Sequence, residues 1–189
     1  MKVLLCLMGL FAFAAAHSCP PLWTSGPKGC YRYFAKARTW EAARDHCSGF
    51  SSCVGNSIGN LVSIGSQAEN DYVKLLRESS ILATPAPSIW TAGNDRIREG
   101  NWQWANGQPW DPTTGYANWE QGQPNNQGGA ENCLRFPGQR SVDQWDDFDC
   151  LTELPYICHL FAEPAAQPQP PVQPRFLYGQ PQQSQIGYK

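Results

Sequence analysis

Histidine is scarce in this chain of 189 residues, and the three that occur, His17, His46 and His159, are far apart in the sequence. They form no zinc-ligand spacing and no serine, histidine and aspartate arrangement of a hydrolase. No glycine-rich phosphate loop is present either. His159 lies in the apolar stretch PYICHLF, where we predict a strand edge rather than a catalytic position. We therefore expect a binding protein and not an enzyme.

The chain also has few positively charged residues and few long apolar runs. The chain has 14 lysines and arginines against 16 acidic residues, and it lacks the basic stripe with interleaved aromatic residues that is typical of nucleic-acid binding. The apolar run at residues 3–13 is too short and too close to the N-terminus for a membrane span, and no later segment is long enough. We expect no nucleic-acid partner and no membrane span.

The first 16 residues are typical of a secretory signal peptide. Lys2 precedes the apolar run, and three alanines at residues 14–16 supply the small residues that a signal peptidase needs, so cleavage is expected before His17. The mature protein would then be soluble and extracellular. Cleavage removes Cys6 and leaves seven cysteines, which in an exported chain predict disulfides.

The rest of the chain divides into one domain and a tail. Residues 17–161 have a globular composition rich in tryptophan, whereas residues 162–189 contain six prolines and seven glutamines. Such a tail has too few apolar residues to offset the entropy of ordering it. We predict that it is disordered and partly polyproline II.

Within the domain, the pattern predicts an α+β fold with two helices followed by short antiparallel strands and long loops. Thr39 is placed to cap a helix through TWEAARDHC, and Ser66 with Glu69 has the spacing of a capping box. After Ala83 the chain turns to short β-prone segments separated by Gly, Pro and Asn: IWTAGND, NWQW, LRF and PYICHL.

Eight short motifs occur in the order and approximate spacing of one family: CYRYF, TWEAARDHC, IWTAGND, EGNWQW, WEQGQPN, ENC, WDD and PYIC. From Cys19 to Cys158 the chain thus resembles C-type lectin domains. The resemblance implies their disulfide-stapled α+β fold with a long calcium-binding loop region. It also implies the disulfide pairs Cys19–Cys30, Cys47–Cys158 and Cys133–Cys150. Cys53 is left over, as a buried free thiol or an intermolecular bridge.

A narrower resemblance rests on CSGFSSCVGN and on the composition of the tail. Two cysteines six residues apart after the first helix look like the lectin-like domains of echinoderm spicule-matrix proteins, which also carry Pro-rich or Gln-rich segments. This resemblance implies a role in an extracellular mineral matrix.

The loop GQPNNQGGAENC, residues 122–133, contains five side-chain amides and three glycines, a composition typical of a linker. The family resemblance instead implies a calcium site. Calcium takes about six to eight oxygen ligands, amide oxygens included. The positions that match the family's ligands are Gln123, Asn125, Glu131, Asp146 and Asp147. Pro124 is expected to be cis, as in the family, which would turn Gln123 and Asn125 toward the same ion. The alternative is a solvated acidic loop.

A second family calcium site would use Asp95, Glu99, Asn126 and Asn132. Two of its usual carboxylates are amides here, and affinity falls as carboxylates are lost, so we expect this site to be weak or empty. An ordinary turn in NDRIREG is an equally good interpretation.

Sugar binding raises a further question, because sugar-binding members of the family match each calcium-bound hydroxyl with one acceptor and one donor. Here the first hydroxyl would meet Gln123 and Asn125, and the second Glu131 and Asp146. A calcium-bound hydroxyl has one proton to give and one lone pair left, so two donors or two acceptors leave a polar group unmatched. The triplet Gln-Pro-Asn matches neither the mannose-type Glu-Pro-Asn nor the galactose-type Gln-Pro-Asp. We expect calcium binding to survive better than sugar binding.

Two functions remain open. The first is a secreted, non-enzymatic, calcium-binding protein of a biomineral matrix, which binds calcium or calcium mineral and associates with itself through Cys53 and the tail. The second is a soluble calcium-dependent lectin that recognises glycans. The unmatched hydroxyl partners and the tail favour the first.

Overall fold

The computed structural model of the protein describes residues 19–51, 57–80, 86–106, 110, 115–138 and 144–161. The predicted signal peptide, Cys53 and the Pro- and Gln-rich tail lie outside these residues. No helix in the described part of the chain has the length and apolar character needed to cross a membrane.

The described residues of the domain form two α-helices and one eight-stranded sheet. The elements in chain order are β1 (Thr24–Gly26), β2 (Gly29–Arg38), α1 (Trp40–Ser48), β3 (Asn60–Leu61), α2 (Gln67–Ser79), β4 (Ile89–Asn94), β5 (Gln103–Trp104), β6 (Glu131–Phe136), β7 (Asp146–Asp149) and β8 (Leu154–Phe161). The strand order is β1-β2-β8-β4-β6-β7, with β3 paired to β8 and β5 to β4. This is the predicted α+β fold.

Both helices begin where the sequence predicts. Thr39 caps α1, and its hydroxyl accepts a hydrogen bond from the Ala42 N–H. Ser66 caps α2 in the same way through the Glu69 N–H, while the Glu69 carboxylate accepts from the Gly65 N–H at 3.1 Å. These contacts satisfy N–H groups that a helix leaves without partners at its first turn.

The predicted order of helices first and strands later is wrong, because two strands precede the first helix. Strand β2 is ten residues long and pairs antiparallel with β8 from Gly29↔Phe161 to Arg38↔Leu154. The strands are also not all antiparallel, since β4 and β8 pair in parallel through Trp90 and Tyr156. Both differences arise from contacts between distant segments, which local sequence patterns do not reveal.

The core of the domain includes several aromatic side chains. Trp102, Trp104 and Trp110 are all buried in it. His159 lies in the middle of β8, where it pairs with both Tyr31 and Asn60. The expectation of a strand-edge position for His159 is therefore wrong, because strands flank β8 on both sides at this residue.

Three disulfides join distant parts of the domain, and they are the pairs that the family resemblance implies. Cys19 is bonded to Cys30, Cys47 to Cys158, and Cys133 to Cys150. The Cys133–Cys150 bond joins β6 to the residue that follows β7, so it holds together the two segments that carry Glu131 and Asp147.

Candidate functional site

The polar loop before β6 is anchored to the start of β7 by backbone pairing. Trp119 and Trp145 form a parallel bridge. The Glu120 N–H donates to the Trp145 carbonyl at 2.8 Å, and the Trp145 N–H donates to the Asn118 carbonyl at 2.7 Å. The indole rings of Trp119 and Trp145 also pack edge to face, with centroids 6.0 Å apart. The loop is therefore built into the domain and is not a linker.

Glycine and a cis peptide bond shape the loop between these anchors. The Gln123–Pro124 bond is cis, as the resemblance implies. A short 3-10 turn follows at Gln127–Gly129, within which Gly128 has a φ of 70°. Residues with a Cβ rarely adopt this left-handed conformation, so the glycines reflect a tight path rather than a lack of structure.

Asp147 joins β7 to the loop. Both of its carboxylate oxygens accept from the Asn125 N–H at 3.0 Å, and Oδ2 also accepts from the Asn126 N–H at 2.6 Å. Asp147 is 2% exposed and lies opposite Leu134 in the sheet. Hydrogen bonds to a carboxylate are stronger than those between neutral groups. Asp147 thus holds the Pro124–Asn125–Asn126 segment against the strand.

Glu131 closes the loop at its other end. Its carboxylate accepts from the Gln127 N–H at 2.9 Å, and its own N–H donates to the Asn126 side-chain oxygen at 3.1 Å. Asn126 therefore stands between Asp147 and Glu131, and it directly follows Asn125 in the chain. The structure brings the segments that carry Asn125, Glu131 and Asp147 into one hydrogen-bonded unit.

Gln123 carries the clearest sign of a missing partner in this loop. Its side-chain oxygen Oε1 is buried and accepts no hydrogen bond from the described residues. Leaving a buried acceptor without a partner costs free energy, on the order of 1 to 3 kcal/mol. Because calcium binds amide as well as carboxylate oxygens, an unpartnered amide oxygen in the same loop as Asn125 fits a calcium ligand.

Asp146 is placed differently from the other four predicted ligands. Its carboxylate forms a two-pronged ion pair with Arg135, in which Arg135 Nε donates to Oδ1 at 2.9 Å and Nη2 donates to Oδ2. Asp146 is 5% exposed. Its hydrogen bonds run to β6 rather than to the loop. Sequence analysis missed Arg135, because only the pairing of β6 with β7 sets it opposite Asp146.

The residues of the predicted second site also adjoin one another. Asn126 Nδ2 donates to Glu99 Oε2 at 2.5 Å, and the Asp95 N–H donates to the Asn132 carbonyl at 3.2 Å. Asp95 is 2% exposed; its Oδ2 accepts from the Gly100 N–H at 2.8 Å, whereas Oδ1 has no partner among the described residues.

Electrostatics link Asp95 to both candidate sites. Burial raises the pKa of the Asp95 carboxyl, and the negative charges of Glu99 and Asp147 raise it further. A cation would relieve this repulsion. No group of three or more acidic, histidine or cysteine side chains forms a metal-binding cluster within the described residues.

A separate cavity of about 540 Å³ lies between α1 and the strands β4 and β5. Its lining includes Trp40, Glu41, Arg44, Arg96 and Trp104, and none of the predicted calcium ligands. Glu41 bridges the two arginines, at 3.1 Å from Arg44 and 3.5 Å from Arg96. The cavity is therefore not part of the loop site.

Comparison with known proteins points to one family. Residues 36–160 match the family model described as the lectin C-type domain. Echinoidin of Heliocidaris crassispina is 37% identical over 146 residues, which cover 75% of this chain and 96% of echinoidin. The alpha-N-acetylgalactosamine-specific lectin of Patiria pectinifera is 32% identical over 167 residues, which cover 82% of this chain and 94% of that lectin.

Solved structures give the same result. The C-type lectin CEL-I from Cucumaria echinata superposes with a TM-score of 0.67 at 30% sequence identity, covering 78% of this chain and all of CEL-I. The residues matched by the family model take in both helices and the loop that carries Gln123 to Glu131, but not β1.

Proposed function

The chain belongs to the C-type lectin domain family, and from that premise we propose that it is a secreted, non-enzymatic protein that binds glycans with the help of calcium. One observation carries this proposal: Asp147 holds the Asn125 segment by three hydrogen bonds, beside the unpartnered oxygen of Gln123. The loop is thus organised around oxygen atoms. Organised oxygens of this kind suit a cation better than a solvated acidic surface.

Within this proposal, Gln123, Asn125, Glu131 and Asp147 hold the calcium, and Asp146 occupies the fifth family position. Calcium, when bound, supplies a positive centre to which neighbouring sugar hydroxyls attach. The weaker second site is formed by Asp95 and Glu99 with Asn126 and Asn132. The buried, unpartnered Asp95 Oδ1 supports a cation there, whereas the bond from Asn126 to Glu99 occupies one of its amides.

The relatives support a glycan as the ligand, since one of them is named for its specificity toward alpha-N-acetylgalactosamine. The first position of the triplet, Gln123, matches the galactose-type pattern, and the third, Asn125, matches the mannose type. We propose that this mixed triplet binds each sugar class weakly. Two amides at the first hydroxyl both offer donors, and one of them finds no lone pair to bind.

A double substitution tests this assignment of hydroxyl partners. Gln123→Glu with Asp146→Asn gives each hydroxyl one acceptor and one donor without changing the net charge. Retention on mannose-type glycans in a glycan array should rise by roughly tenfold, because each matched hydrogen bond contributes on the order of 1 kcal/mol.

The matched control is Gln67→Glu with Asp71→Asn, which makes the same two chemical changes at an exposed, hydrogen-bonded pair on α2, outside the loop and β7. This control should bind like the parent. Tight mannose binding by the parent that the double variant does not improve would show that the pairing argument is wrong.

A mineral-matrix role is the second candidate, favoured by the ion pair that engages Asp146 and by the composition of residues 162–189. A Pro- and Gln-rich segment with Phe176, Tyr178 and Tyr188 can make many weak contacts, and Cys53 offers a disulfide between chains. On this proposal the protein self-associates and binds calcium mineral. It needs no sugar.

A shortened variant and a Cys53→Ser variant test the matrix role. The mature chain should associate with itself or with calcium carbonate more strongly than a chain ending at Phe161, and Cys53→Ser should remove any disulfide-linked dimer. Non-reducing gels and calcium carbonate pull-down measure this. Identical behaviour of all three proteins would exclude the matrix role and leave the lectin.

A further inference from the structure

We propose that Arg135 acts as an internal counter-cation for Asp146 and thereby sets the calcium affinity of the loop site. The inference rests on the proposed function, since it concerns the same site. It adds a residue that the family's ligand positions do not include. Arg135 is a positioning residue here, because it acts through Asp146 and not on the ion itself.

The sheet places the two side chains together. Arg135 on β6 lies directly opposite Asp146 on β7, so both side chains project from the same face. Arg135 binds with two nitrogens of its guanidinium, Nε to Oδ1 at 2.9 Å and Nη2 to Oδ2. This forked geometry suits a carboxylate and is a strong form of ion pair.

Phe148 fixes the arginine in this position. The guanidinium carbon of Arg135 lies 3.6 Å from the centroid of the Phe148 ring, two residues beyond Asp146 on β7. A cation over an aromatic face is attracted to it, and the contact also limits the freedom of a long side chain. Arg135 is therefore held by the carboxylate and the ring together.

Burial makes the pairing difficult to break. The side chains of Arg135 and Asp146 are only 23% and 8% exposed. Removing one partner of a buried pair leaves an uncompensated charge, which is strongly destabilising. Asp146 cannot move to a cation in the loop without leaving Arg135, so the pair opposes its use as a ligand.

The consequence concerns the charge available to calcium. Of the three predicted carboxylates, Glu131 and Asp147 face the loop through bonds to the backbone of residues 125–127, whereas Asp146 is neutralised by Arg135. Calcium affinity depends on the number of charged ligands. Arg135 thus keeps the site weaker than its five oxygen-bearing residues imply.

Three variants of the full mature protein test the proposal: Arg135→Gln, Asp146→Asn and the two together. Calcium affinity is measured by titration calorimetry with calcium chloride, and thermal unfolding is measured in chelator and in calcium. Arg135→Gln should raise calcium affinity about tenfold, the factor that corresponds to freeing one charged ligand. Asp146→Asn alone should change it by less than about twofold, since that carboxylate is already engaged.

The double variant decides whether Arg135 acts through Asp146. It should bind calcium like Asp146→Asn, with no gain from the loss of Arg135. In chelator, Arg135→Gln should unfold at a lower temperature than the parent, because Asp146 is left buried and unpaired, and calcium should restore more stability to it than to the parent. Arg32→Gln, which removes the same charge on β2, should show neither effect.

Two results would overturn the inference and leave the proposed function standing: no gain in affinity for Arg135→Gln, or a gain that persists when Asp146 is Asn. A parent that binds no calcium while Arg135→Gln binds it would overturn the proposed function and support the inference. Absence of calcium binding from every variant would overturn both. Arg135→Lys is the control for a folding defect, because it keeps the positive charge. Its calcium affinity should lie between those of the parent and Arg135→Gln.

Discussion

Replacing Asp147 by alanine is expected to remove most of the calcium affinity of the protein. The change deletes one carboxylate from the proposed site, and it also leaves the N–H groups of Asn125 and Asn126 without the acceptor that holds the loop. A hydrogen bond to a charged group contributes about 1.5 to 3 kcal/mol. If the binding site loses that much free energy, its calcium affinity falls roughly 10- to 100-fold. Titration calorimetry with calcium measures it.

Two further substitutions serve as controls for Asp147→Ala. Asp149→Ala removes the same charge from the same strand, but the Asp149 carboxylate accepts from the Leu151 N–H and not from the loop, so calcium affinity should stay close to that of the parent. Glu99→Ala removes a carboxylate of the weaker second site and should have a smaller effect than Asp147→Ala. Equal affinity of parent and Asp147→Ala would show that the site is assigned wrongly.

Acid is expected to destabilise the domain through His159. Its side chain is fully buried, and neither ring nitrogen has a hydrogen-bond partner among the described residues. The imidazole stacks on Tyr31 with centroids 4.1 Å apart. Burial lowers the pKa of His159 from 6.5 to about 4; the Lys28 backbone opposes this shift in part, and the Lys28 charge adds to it to a smaller extent. The folded protein therefore keeps this histidine neutral.

The sign of the pH effect follows from proton binding. Below pH 6.5 the unfolded chain protonates His159 and the folded chain does not, so stability falls as the pH drops from about 6.5 to about 4. The full shift corresponds to roughly 3 kcal/mol of unfolding free energy. Urea denaturation at a series of pH values measures the loss.

The variant His159→Phe isolates this contribution. It retains an aromatic ring against Tyr31 but cannot be protonated, so its stability should fall less than that of the parent across the same pH range. Both proteins keep Asp95, whose raised pKa acts in the opposite direction, so its effect cancels in the comparison. Parallel pH profiles for parent and variant would show that His159 does not control acid stability.

Local signals predicted the features that short segments determine. Thr39 and Ser66 begin the helices because their hydroxyls accept N–H groups of the next turn, which adjacent residues alone decide. The disulfides and the cis bond at Pro124 were predicted from the family resemblance, which rests on eight motifs that match the family in order along the chain.

The features that the sequence did not reveal depend on which distant segments meet. Strand β2 forms because it pairs with β8, over a hundred residues later, and His159 is internal for the same reason. Arg135 reaches Asp146 because of the register between β6 and β7, which leaves no trace in either segment alone. The predicted ligands could be assigned from their positions in the sequence. The partner of Asp146 could not, because it depends on how β6 pairs with β7.

A glycan array tests calcium-dependent glycan binding most directly. Retention of the full mature protein is measured in calcium and again in chelator. Retention is expected on a subset of glycans. It should disappear in chelator, and it should be absent for Asp147→Ala even in calcium. Retention that survives the chelator, or no retention on any glycan in saturating calcium, would contradict a calcium-dependent glycan site in the loop of residues 122–133.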